Sequence, residues 1–192
     1  MLDDQFGEAA LVYQKSLEIE PHANTYANLG LMHYYLGQFE EAAAAVQKSI
    51  ELAPGDYQLW MNLGDILAAS GDHAASIDAF HHALRLAQQV ASVNPLDPLM
   101  SADLAWIHAA LSNEAEAKRL IKRAAEGVPD EPYVDYIHGL ILKESGDLAD
   151  SISALETAIT TGYPRAFVAA EPHLQELHKH PRFAALVRAT GG

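Results

Sequence analysis

The chain has 192 residues, 49% of them hydrophobic, a composition that folds rather than one that stays disordered, and it has no cysteine, which excludes disulfides and thiolate chemistry. Its net charge is −14, with three basic and fourteen acidic side chains in residues 1–110 and nine and twelve in residues 111–192. A surface this negative repels phosphate backbones and anionic headgroups, so neither nucleic acid nor a membrane is an expected partner. No run approaches the roughly 18 apolar residues of a bilayer span, and the opening Met1-Leu2-Asp3-Asp4 lacks the basic start and apolar stretch of a signal peptide, so a cytoplasmic location is expected.

An internal period organises the chain from its first residues. Ala9, Tyr13, Ser16 and Pro21 fit only the second half of a unit, so residues 1–22 are read as a half repeat. In residues 23–56, Tyr26, Leu29, Gly30 and His33 are followed by Gly37, Ala42, Val46, Ser49 and Pro54. Thirty-four residues on, in residues 57–97, Trp60, Leu63, Gly64 and Leu67 are followed by Gly71, Ser76, Phe80 and Ala83. An insertion around residues 87–95 is expected to prolong that unit's second helix by about two turns, with Asn94-Pro95 as its stop. Residues 98–131 carry Leu104, Ala105, His108, Ala117, Ile121, Ala124 and Pro129, with Ala105 in place of the internal Gly. Residues 132–165 carry Gly139, Leu142, Gly146, Ser151, Leu155 and Ala158, with His138 where Leu is expected. Residues 166–192 leave the pattern and are expected to cap the array, since an open solenoid end needs a polar outer face.

Each unit reads as two antiparallel helices joined by a tight turn. Gly37, Gly71 and Gly146 are placed to end first helices at positive φ. Gly30, Gly64 and Gly139 lie inside helices at a cost of about 1 kcal/mol relative to Ala, which implies close approach of a partner helix at the level of Ala42, Ser76 and Ser151. Pro54, Pro98 and Pro129 punctuate unit exits, and Pro132 suits a first helical turn.

A pattern of aromatic, Leu-Gly, Ala, aromatic and Pro at a 34-residue period resembles the tetratricopeptide repeat. The resemblance implies an all-α fold, a TPR-type α-solenoid winding antiparallel helix pairs into a right-handed superhelix, closed by a C-terminal capping helical segment. It also implies a protein-interaction scaffold with a protein or peptide partner in a concave groove lined by first helices. Carried over by register, that groove holds Asn24, Asn28, Leu31, Tyr34 and Tyr35, then Gln58, Asn62 and Asp65, then Trp106, then Tyr133 and Tyr136. Asn28 and Asn62 occupy equivalent places, and carboxamides both donate to and accept from a peptide backbone. The aromatics are either contact residues or inter-helix packing. The family's clamp for C-terminal carboxylates needs several Lys and Arg, and only Lys143 stands near such a place, so a neutral or basic ligand is expected.

The stretch Gly162-Tyr163-Pro164, Glu171-Pro172-His173-Leu174 and His180-Pro181-Arg182-Phe183 is similar to tails that close repeat arrays in bacterial signalling proteins such as kinases, cyclases and winged-helix regulators. It implies an alternative function as a regulatory or dimerisation module, with homodimerisation through the half repeat around Leu11, Leu17 and Ile19, and a chain that is a piece or remnant of a longer one. No catalytic, metal or cofactor site is expected. His81 and His82 point to different sides of a helix, and His173, His178 and His180 lack the Cys or carboxylate partners that complete a zinc site. His33, His108 and His138 sit at packing positions. Phosphate-loop, nucleophile-elbow and zinc-protease motifs are all missing.

Overall fold

The computed structural model describes residues 2–188. Among them the fold is helical throughout, in the order α1 (Leu2–Ile19), α2 (Ala23–Tyr35), α3 (Phe39–Leu52), α4 (Tyr57–Ser70), α5 (His73–Ala91), α6 (Pro98–Ala110), α7 (Glu114–Gly127), α8 (Pro132–Glu144), α9 (Leu148–Thr161), α10 (Arg165–Ala170), a 3₁₀ helix (Pro172–Lys179) and α11 (Pro181–Arg188). Consecutive helices pack as pairs, as expected. None of the described helices is long and apolar enough to cross a membrane. The chain divides into two compact units, Met1–Leu86 and Ala87–Gly192.

Sequence chemistry sets the helix ends. Asp56 and Asp97 accept from the backbone N–H groups of Gln58 and Met100, capping α4 and α6. Pro98, expected to mark an exit, is instead the first residue of α6, where its missing N–H costs nothing. Gly37, Gly71 and Gly146 all have positive φ, and the residue after each donates back to a carbonyl five positions earlier, as in Gln38 to His33 (2.9 Å) and Asp72 to Leu67 (2.9 Å). The second unit makes the same turn at Ser112, φ 59°, with Asn113 donating to His108 (2.8 Å). The second helix of the inserted unit stops at Ala91, before Asn94-Pro95. It has 19 residues against 14 in α3 and α9, an extension of about 1.4 turns rather than two.

The internal glycines are sites of close approach. A Cβ on Gly30 would lie 2.6 Å from Val46 Cγ2 and 3.1 Å from the Ala42 carbonyl oxygen; on Gly64, 2.8 Å from the Phe80 ring; on Gly139, 2.7 Å from Leu155. The close contacts are thus chiefly with Val46, Phe80 and Leu155, one turn beyond the small residues first expected. The serines at those expected places have a different role: Ser76 and Ser151 donate their hydroxyls to the Gly64 and Gly139 carbonyls, both at 2.8 Å. In the first unit Tyr34, Val46, Leu63, Ile66 and Ala79 form the core around these contacts.

Candidate partner-binding surface

In the first unit, Asn24, Asn28, Leu31 and Tyr35 recur along α2 at spacings that share one helical face, as do Gln58, Asn62 and Asp65 along α4. Asn24, Asn28 and Gln58 are exposed, and Leu31, Tyr35, Asn62 and Asp65 are half-buried. Tyr35 stacks on Phe6 of α1, with ring centroids 5.2 Å apart. Tyr34 is only 4% exposed and meets Tyr35 edge-on at 5.4 Å, so its ring belongs to the core. Neither α2 nor α4 contains Lys or Arg. The stripe therefore offers amides, an aliphatic and an aromatic side chain, and one carboxylate.

The second unit places its counterparts differently. Asp103 stands at the position equivalent to Asn28, is buried, and accepts from the Tyr133 hydroxyl at 2.5 Å. Trp106 is 3% exposed and meets the His173 imidazole edge-on at 5.1 Å. Tyr136 is 5% exposed, stacks on Tyr163 at 4.2 Å, and donates to the Glu171 carboxylate at 2.7 Å. Glu171 also accepts from the His173 backbone N–H, capping the 3₁₀ helix. Burial, and the carboxylate of Glu171, push the Tyr163 hydroxyl above its ordinary pKa. The tail thus covers side chains that register alone assigned to a groove. The stretch from Glu171 to His173 stood out in the sequence, but nothing local in it signals contact with Trp106, 65 residues and more away.

Glu144, at the end of α8, lies 3.7 Å from the His173 ring and 3.0 Å from Lys143 Nζ. His173 first and Lys143 second hold its carboxyl at about 2, against an ordinary 4.5, and outweigh its partial burial. A depressed carboxylate contributes stability that is present above the ordinary value and is lost as pH falls through the depressed one. Glu144→Gln is therefore expected to lower the urea midpoint at pH 6, with the gap to the wild type closing as the pH approaches 2. A gap that persists unchanged at low pH would remove the charge explanation.

The profile of the tetratricopeptide repeat family matches residues 27–91. No curated protein matches the chain. Among solved structures, the chain is similar to MamA at 18% identity over 81% of this chain and 88% of that one, with a TM-score of 0.45. It is also similar to YrrB, described as a TPR protein with an unusual peptide-binding site, at 18% identity over 92% and 89%, with a TM-score of 0.48. A further likeness is to a chain of the APC/C hetero-tetramer Cut9-Hcn1, at 17% identity, with a TM-score of 0.55. That match spans 95% of this chain and 35% of the other, and it is a likeness of fold.

Proposed function

We propose, from the premise that this chain is a tetratricopeptide-repeat protein, that it is a protein-interaction scaffold which holds an extended peptide against α2 and α4 of its first unit. The observation that carries the reading is the stripe of carboxamides at Asn24, Asn28, Gln58 and Asn62, solvent-accessible and bordered by Leu31 and Tyr35. Each carboxamide offers a donor and an acceptor, so the stripe suits a peptide backbone largely independent of side-chain identity. Neither helix carries Lys or Arg, which favours a neutral or basic ligand over an acidic one. Trp106, Tyr133 and Tyr136 already have partners within the second unit, so the reading rests on the first.

Peptides selected from a random phage library against the wild type supply the test. Asn28→Ala/Asn62→Ala, with an unchanged melting curve, is expected to weaken the selected peptides at least about tenfold, since each lost pair of backbone hydrogen bonds is worth about 1 kcal/mol net. Equal affinity for the two proteins would exclude this stripe. A dimerisation module is the second reading, favoured by Leu11 and Ile19 on α1, which are 57% and 87% exposed. Sedimentation of the same preparations as dimers would support it.

A further inference from the structure

The helices of the two units align at an offset of 75 residues: α2 with α6, α3 with α7, α4 with α8. That alignment permits each seam of the second unit to be compared with its counterpart in the first. Between α7 and α8 runs a groove of about 480 Å³ whose walls include Ile121, Ile141 and Leu142. Pockets that hold small organic ligands span roughly 300–1,000 Å³ and are mostly apolar with a few placed polar groups.

At the matched seam between α3 and α4, the same wall positions are Val46, Ile66 and Leu67, so the walls are alike. The difference lies in four other positions. Ile50 and Leu63, which belong to or pack against the first-unit core, correspond to Ala125 and His138 in the groove. Ala43 and Gln47 correspond to Lys118 and Lys122 on the groove's lining. Two replacements remove aliphatic volume, and two introduce ammonium groups. The whole of α7 follows the same trend, with four basic and three acidic side chains where α3 has one and three.

The lysines are held loosely. Lys118 lies 3.7 Å from Glu114 and Lys122 lies 3.9 Å from Glu126, both as exposed pairs one helical turn apart, which contribute little and exchange readily for a better anion. Burial holds the His138 imidazole below its ordinary pKa, against the nearby carboxylates of Asp135 and Asp150, so the ring lines the groove as a neutral group at neutral pH.

We propose that the groove between α7 and α8 is a binding site for a small anionic amphiphile, a molecule with one aliphatic chain seated on Ile121, Ile141 and Leu142 and a carboxylate head paired with Lys118 and Lys122. Charge complementarity selects the head: in a chain of net charge −14, the groove lining carries two lysines against one carboxylate, Glu126, where the matched seam has the equivalent Glu51 and no lysine. The missing Ile side chain leaves room for the tail, and the imidazole of His138 stands where the first unit has Leu63.

The probe is sodium octanoate, titrated into the ¹⁵N-labelled full chain and followed by amide shifts, with octanol as the uncharged control. Expected are saturable shifts in α7 and α8, a preference for octanoate over octanol that Lys118→Gln/Lys122→Gln abolishes, and at least tenfold weaker binding to Ala125→Ile. Ala125→Ile restores the residue that the first unit carries at this place, so it fills the groove without opening the core; Ala125→Leu is a second filling variant with the same expected loss. Octanoate that leaves α7 and α8 unperturbed, or that binds both filled variants as well as the wild type, would overturn the proposal. So would a groove that takes an acidic-aliphatic peptide while ignoring octanoate.

Discussion

Replacing Phe183 by alanine is expected to destabilise the second unit by about 3–5 kcal/mol, the range for truncating a fully buried aromatic ring. Phe183 is fully buried, packs edge-on against His178 at 5.1 Å, and shares the tail with the buried Val168, Leu174 and Leu177. Polar bonds fix the helix that carries it. Arg182 reaches Glu156 and Ser153 on α9, and Arg165 of α10 donates to the Leu186 carbonyl. The tail is thus part of the second unit's core, and the measurement is urea unfolding in a Trp60→Phe background, where Trp106 alone reports. A loss below about 1 kcal/mol would make the tail an ornament on a core complete without it.

The second large effect is a coupling between Gly64 and Phe80. Phe80→Ala alone should cost about 3–5 kcal/mol, because the ring is 2% exposed and its removal leaves a cavity. Gly64→Ala alone gains about 1 kcal/mol of helix propensity but drives a methyl to within 2.8–2.9 Å of three atoms of the buried Phe80 ring, which must shift, a cost of about 1–3 kcal/mol. With the ring gone, the same methyl enters the cavity and only the propensity gain remains. Gly64→Ala is therefore expected to destabilise the wild type and to stabilise Phe80→Ala, a change of sign readable in a double-mutant cycle by chemical denaturation. Additive effects would show that ring and glycine do not share their space.

The period was legible because the residues that set it act locally. Gly37, Gly71 and Gly146 supply positive φ whatever surrounds them, and Gly30, Gly64 and Gly139 declare a close approach by lacking a side chain. Ser112 makes the same turn without any such signal, since serine is ordinary in most conformations. The candidate site was less legible. Helical spacing assigned Tyr34, Trp106 and Tyr136 to a face, but spacing carries no information about what lies on that face. For Trp106 and Tyr136 the covering groups are His173, Glu171 and Tyr163, brought in from the tail. The eight residues Pro172–Lys179 form a 3₁₀ rather than an α-helix, a choice that composition does not announce. The groove beside α7 was invisible for another reason: Ala125 and His138 fit a helix as well as Ile50 and Leu63 do, and only the neighbouring helix turns their smaller or more polar side chains into a space.

The burial of the tail also orders events at the ribosome, where chains emerge N-terminus first and domains fold as they appear. By Leu86 the nascent chain has delivered every buried side chain of the first unit, including Phe80 and Ala83. The second unit stands in the opposite position: Trp106 and Tyr136 emerge long before Tyr163, Glu171 and His173 arrive to cover them, and Phe183 comes later still. Through that interval two large aromatic rings wait for the groups that cover them in the finished second unit, so its core closes only once the tail has emerged.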